Sequence, residues 1–120
     1  MPIINKVFWG RVTVDGKKYH QVLIVGNEVI ERDEPKLENL FGTTHKIGEW
    51  EQEKLLSNKP EIILVASGWS GVLKIEAEFK KRVENAGIEL RVALTPRVAK
   101  VYNQLVKEGR RVNALVHTTC

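Results

Sequence analysis

A single cysteine, Cys120, leaves the chain unable to close an internal disulfide. This excludes the small cystine-stapled scaffolds of secreted proteins and fits a reducing compartment. No apolar run exceeds Ile62 to Ala66, far short of the ~20 residues that span a bilayer as a helix, so membrane insertion is not expected. Met1 to Lys6 has neither a charged segment followed by an apolar one nor a small-residue cleavage site, and the expectation is therefore a cytoplasmic address without a signal peptide. Internal repeats and low-complexity stretches are absent, and 42% hydrophobic with 28% charged residues is the balance of an ordinary globular protein, not of a disordered or collagen-like one.

Motifs that carry chemistry are equally sparse. There is no phosphate-binding loop with its lysine and no three-glycine dinucleotide fingerprint. No spacing of His and Cys suggests a metal site, and no cofactor is implied. Charge of one sign does not dominate: the net charge is +4, and residues 1–60 hold 9 Lys/Arg against 9 Asp/Glu while residues 61–120 hold 10 against 6. The basic clusters are Lys80-Lys81-Arg82 and Arg110-Arg111. They read as a solvated helix face and a strand start, and no RNA-binding aromatic signature or helix-turn-helix pattern accompanies them. Nucleic acid is thus the third-ranked partner.

At 120 residues one core is expected, because a chain of this size buries roughly two thirds of its unfolded surface. The reading is a single domain over 1–120, with an antiparallel meander in 1–32, a loop in 33–48 and an alternating helix and strand half in 49–120. Val12 and Val14 precede Asp15-Gly16, and Tyr19, Val22, Leu23, Ile24 and Val25 follow. Asp-Gly between such runs predicts a hairpin, since both turn positions need positive φ that Asp and Gly tolerate. Gly26-Asn27 predicts a second turn into a strand with Val29 and Ile30. Asp33 to Gly48 is polar and interrupted by Pro35, Gly42 and Gly48; it reads as a long surface loop pinned by Leu37, Leu40 and Phe41, and such loops are often functional.

The second half changes period. A short helix is predicted over 49–57, with Glu49, Glu51 and Glu53 early in it, where they complement the helix dipole. Ile62 to Ala66 is continuously apolar, as a strand covered on both faces must be. Ile75, Phe79, Val83 and Ala86 fall at helical spacing before Gly87. Ile88, Leu90, Val92 and Leu94 alternate as a strand with one face less completely buried. Thr95-Pro96 is a helix start, threonine capping free amides and proline losing no needed bond. Val98, Val101, Tyr102, Leu105 and Val106 form one stripe ending at Gly109, and Val112 to Val116 makes the last strand. Strand, helix, strand, helix, strand with right-handed crossovers predicts at least three parallel neighbouring strands. The fold class is α/β with an α+β tendency.

Ligands gather at the carboxyl ends of parallel strands in such sheets. Three segments qualify: Ser67-Gly68-Trp69-Ser70-Gly71, Thr95-Pro96 and His117 to Cys120. Gly68 and Gly71 allow the backbone to approach a ligand or simply make a tight turn. Ser70 has glycine two residues before it, as a nucleophile elbow needs, but Val72 two residues after. His45 and His117 are candidates for acid-base chemistry or a ligand contact, although a satisfied structural histidine is the commoner outcome. Cys120 stands beside the α-carboxylate, which disfavours its thiolate. Trp69 suggests a binding rim or packing over the core edge, and Asn103 either fixes a loop or faces a pocket.

Ala86-Gly87-Ile88-Glu89-Leu90-Arg91-Val92, Thr95, Tyr102-Asn103-Gln104-Leu105, Gly109-Arg110-Arg111-Val112 and above all His117-Thr118-Thr119-Cys120 resemble a small domain family found in archaea, bacteria and eukaryotes. Its eukaryotic members include the adipogenesis-associated single-domain protein and assembly factor three of mitochondrial NADH dehydrogenase (complex I). The chain departs from that pattern at Ala66-Ser67-Gly68, where relatives more often carry Gly-x-Gly, and at Val98, where alanine is usual. The resemblance implies three layers: a small β-sheet, a mixed central sheet and helices. It implies no enzyme, and its best-understood branch acts through protein contacts during assembly. Two functional readings stand. One is a non-catalytic protein-binding or assembly module using Trp69 and the 33–48 segment; the other is a small-molecule or anion site, possibly enzymatic, with Ser70, Thr95, Asn103, His117 and Cys120. With no nucleophile, base and orienter set in the sequence, the balance leans away from catalysis.

Overall fold

The computed structural model describes residues 1–120. β1 (Ile4–Phe8), β2 (Arg11–Val14) and β3 (Lys17–Tyr19) form a three-stranded antiparallel sheet. β4 (Val22–Val25), β5 (Glu28–Glu31), β6 (Ile62–Ala66), β7 (Glu89–Ala93) and β8 (Val112–Val116) form a five-stranded sheet in the order β5-β4-β8-β6-β7. β6 runs parallel to both β7 and β8, while β4 is antiparallel to β5 and β8. The sheet is therefore mixed, with three parallel strands as expected. α1 (Glu34–Phe41), α2 (Glu49–Leu56), α3 (Ala77–Asn85) and α4 (Val98–Lys107) complete the chain.

The continuous apolar character of β6 is explained by two cores. Ile62, Leu64 and Ala66 face a cluster shared with Val112, Ala114, Val116, Val22 and Ile24, covered by Val98, Tyr102 and Leu105 of α4 and by Ile4, Val12 and Val14 of the small sheet. Ile63 and Val65 face the opposite cluster, with Leu55 of α2 and Phe79 and Val83 of α3. The three layers are thus α2 with α3, the central sheet, and α4 with the small sheet. Each fully buried Leu, Ile or Phe contributes on the order of 1.5–3 kcal/mol through surface removed from water.

Several expectations need correction. The β-rich run through Tyr19 to Val25 is not one strand: it breaks at His20-Gln21, and β4 with β5 joins the central sheet instead of a terminal meander. Residues 4–8 form a further strand that the alternation did not reveal. The 33–48 segment is not all loop, because α1 occupies Glu34–Phe41. Its signals are local: the Asp33 side chain caps Lys36 N–H at 3.1 Å, Pro35 sits in the first turn, and Gly42 closes the helix at φ 72. Only Leu37 of this helix is buried, so no periodic stripe marked it. The Asp15-Gly16 turn has positive φ at both residues, 49 and 79, as its sequence demands.

Candidate functional site

The tips of β6, β7 and β8 do meet. Thr95 is their junction: its hydroxyl accepts from Gly68 N–H (2.9 Å) and donates to the carbonyl of His117, and its own N–H bonds Gly68 O at 3.0 Å. Thr95 is fully buried and opens a 3-10 turn (Thr95–Arg97) without capping any amide, so the helix-cap role read from Thr95-Pro96 is corrected. The physical reason is competition: two backbone partners from neighbouring strands use the hydroxyl that a cap would require.

The tail after β8 lies across these tips. Gly10 N–H bonds Thr118 O (2.9 Å), Trp69 N–H bonds Thr119 O (2.8 Å), and the Ser70 and Val72 amides both bond Cys120 O (3.0 Å). At Gly68 a Cβ would stand 2.2 Å from the backbone carbon and oxygen of Cys120. The glycine is required by close approach of the chain's own backbone, the approach that a ligand was expected to make.

Beneath the tail lies a buried polar cluster. His117 ends β8 and is fully buried. Its Nδ1 is 2.8 Å from Gln21 Oε1, its Nε2 is 3.3 Å from the Thr119 hydroxyl, and the His45 ring meets it edge-on with centroids 5.1 Å apart. Gln21 Oε1 also accepts from Arg32 Nη1 (2.7 Å) while Gln21 Nε2 donates to Glu34 (3.3 Å). Arg32 in turn makes a two-point contact with Glu51, Nε to Oε2 at 2.7 Å and Nη2 to Oε1 at 2.9 Å, and donates to the carbonyls of Thr44 and Lys46. All five guanidinium N–H groups are thereby used. Glu51 Oε1 also accepts the Gly48 N–H at the start of α2 (2.9 Å). The sequence offers Glu51 only as a dipole-complementing residue of α2 and says nothing of Gln21 or Arg32 as its buried neighbours, because charged and amide side chains default to the surface and positions so far apart share no motif.

This network assigns the histidine tautomer. Gln21 Oε1 is an acceptor, so Nδ1 of His117 carries the proton and Nε2 keeps its lone pair for the Thr119 hydroxyl. Burial, first, and the positive Arg32 nearby, second, hold the imidazole neutral and push its pKa down to about 4. In the unfolded chain the ring takes a proton near pH 6.5, while the folded one does not until about pH 4. Between these values the unfolded state binds the extra proton, so stability falls as pH drops through that window. The expected loss is about 2–3 kcal/mol for full burial, less where water screens the ring. Urea unfolding at steps from neutral pH to pH 4 measures it, and the His117→Gln variant should lose less stability than wild type over the same steps.

The remaining candidates are scattered. The Ser67 hydroxyl donates to Ala93 O at 3.4 Å. Trp69 is half-buried and its Nε1 is buried without a partner. Ser70 is exposed, and Gly71 lies against Leu94. Cys120 is a half-buried free thiol. Asn103 belongs elsewhere, bonding both the N–H (3.0 Å) and carbonyl (2.7 Å) of Ile4 and so tying α4 to β1. The open cleft beside the cluster is small, about 210 Å3, and is lined by Thr43, His45, Lys46, Val72 and Lys74. No three His, Cys, Asp or Glu side chains gather as metal ligands would, and no helix is long and apolar enough to cross a membrane.

Comparison with known proteins gives a consistent family. A family model described as "Protein of unknown function (DUF498/DUF598)" matches residues 4–117. The solved structure of MT938 is similar over 100% of both chains, with 29% identity and a TM-score of 0.77. The conserved hypothetical protein PH1505 from Pyrococcus horikoshii OT3 is similar over 98% of both chains, at 30% identity and TM-score 0.77. An outer membrane protein from Bartonella henselae shares the fold at 16% identity, covering 99% of this chain and 96% of its own, TM-score 0.79.

Proposed function

The chain belongs to the DUF498/DUF598 family of proteins of unknown function, and from that premise we propose that it is a non-catalytic protein-binding module that docks a partner over its strand tips. The observation that carries this reading is the exposure of large apolar side chains on segments that adjoin the tail or the strand tips: Phe8, Trp9, Val72 and Leu94 are 43%, 60%, 43% and 46% exposed. The Gly10 amide bonds the Thr118 carbonyl of the tail and the Val72 amide that of Cys120, and Leu94 lies against Gly71. Single exposed apolar residues are ordinary, whereas several large ones held on hydrogen-bonded backbone favour association. The half-buried Trp69 adds a rim residue. The His117-Thr118-Thr119-Cys120 tail resembles that of a family whose best-understood branch, the complex I assembly factor, acts through protein contacts, and this supports a binding role. A cytoplasmic setting is part of this proposal.

Affinity capture from native lysate, run with the wild type, Trp69→Ala and a Trp9→Ser/Val72→Ser double variant, tests it. The wild type should retain a stoichiometric protein that the double variant loses while keeping its circular dichroism and melting temperature. An empty capture, or one indifferent to these substitutions, removes the reading. A small-anion site has one supporting observation, the cleft where Lys46, Lys74 and His45 face a common space; a rise in melting temperature with inorganic phosphate would favour it.

A further inference from the structure

β7 is the outer strand of the central sheet, with β6 on one side and no strand on the other. Glu89 N–H bonds Glu61 O, and Ala93 O accepts from Ser67 N–H. Residues 89, 91 and 93 therefore direct their backbone groups to β6, and those of Leu90 and Val92 point outward, since alternate residues of a strand bond to opposite sides. Such an edge is a template for another strand unless it is blunted by charged side chains, a bulge, a proline or a cover, and the charged residues of β7, Glu89 and Arg91, pair with each other. β7 has neither bulge nor proline: its register with β6 runs unbroken from Ile62↔Glu89 to Ala66↔Ala93.

The two faces beside this edge differ in chemistry. On the face of α4, Arg91 opens onto a cleft of about 370 Å3 shared with Arg97, Lys100, Gln104 and Glu108. Gln104 occupies Glu108 (3.1 Å). Arg91 gives only its Nε to Glu89, and Arg97 and Lys100 have no acidic partner. On the opposite face the neighbours are apolar, with Val92 53% and Leu94 46% exposed.

We propose that the β7 edge receives an extended segment of a partner protein whose side chains alternate between apolar and acidic, the apolar ones beside Val92 and Leu94 and the carboxylates in the Arg91, Arg97 and Lys100 cleft. Main-chain bonds to Leu90 and Val92 supply affinity, and the period-two alternation supplies specificity. The cations also steer encounter, so binding weakens with added salt. This inference rests on reading the chain as a protein-binding module and names the partner's chemistry; it shares Leu94 with the strand-tip surface but involves neither Trp9 nor Val72.

Fluorescence anisotropy tests it with the intact chain and short capped labelled peptides, one alternating Val and Asp and the other Val and Lys, with a single-stranded oligothymidylate as a third probe. The acidic peptide should bind at least ~10-fold tighter than the basic one. Val92→Pro removes an outward N–H and leaves the ladder to β6 intact, so it should weaken binding by ~10-fold or more. The surface variant Arg97→Glu/Lys100→Glu should weaken it by a similar factor. The proposal is overturned by equal binding of the two peptides, by wild-type affinity in both variants, or by tighter binding of the oligothymidylate. Sedimentation showing a wild-type dimer that Val92→Pro dissolves would also overturn it, because a second copy would then hold the edge. If the acidic peptide fails while capture still depends on Trp9 and Val72, this inference falls and the broader reading stands. Capture that ignores Trp9 and Val72 removes the broader reading, whatever the peptide does.

Discussion

Alanine at position 51 lowers the stability of the folded chain by about 3–5 kcal/mol. Glu51 and Arg32 are both inaccessible to water. Truncating the acid leaves a buried guanidinium whose charge nothing balances, and α2 loses the carboxylate that holds the Gly48 amide. Removing one partner is costly, whereas replacing both by apolar residues of similar volume is often neutral. The double variant Arg32→Met/Glu51→Leu should therefore recover most of the loss. Urea unfolding of the two variants decides the matter: a single variant within about 1 kcal/mol of wild type would show that the pair is not the clasp described. The clasp joins β5, α2 and the 43–47 segment through a single guanidinium, so its failure should also release His45 from the His117 ring.

Gly68→Ala is the second large loss, about 3 kcal/mol or more, and its signature is local. The residue sits at φ 111, where an L side chain is strained, and the added carbon would overlap the Cys120 backbone at 2.2 Å. Strain of this backbone kind costs on the order of 1–3 kcal/mol, and displacement of the tail removes bonds from Trp69, Ser70 and Val72 as well. Hydrogen exchange should accelerate at those amides and at Gly10, while the β4 amides, paired with β5 and β8, stay protected. Unchanged protection at Trp69 and Val72 would mean that the tail does not lie over Gly68 as described.

Legibility of the fold followed the strength of the periodic signal. The five apolar residues of β6 and the stripe Val98, Tyr102, Leu105 of α4 could be placed from sequence because burial on two faces, or on one face of a helix, leaves a repeating mark. α1 left none, since a helix that buries only Leu37 looks like any polar segment. Its capping residues Asp33, Pro35 and Gly42 are local signals, but proline and glycine punctuate loops as readily as helix ends. The switch between sheets at His20-Gln21 had no local signal at all, because the residues on either side have the same β-forming character. Convergence of the strand tips could be derived from handedness and order alone. What occupies that convergence could not: only the path of the tail shows that Cys120 backbone fills the place where a ligand was expected.

The amino-acid order alone determined the α/β class, the three parallel strands, the Asp15-Gly16 turn and the meeting of residues 67–71, 95 and 117–120, because each follows from side-chain period or from the steric rules of short connections. Tertiary structure alone decided that Arg32, Glu51, Gln21 and His117 form one buried network and that β7 keeps an open edge. Those outcomes depend on which distant groups share a dry interior and which strand lacks a neighbour, and neither is written in any local run of residues.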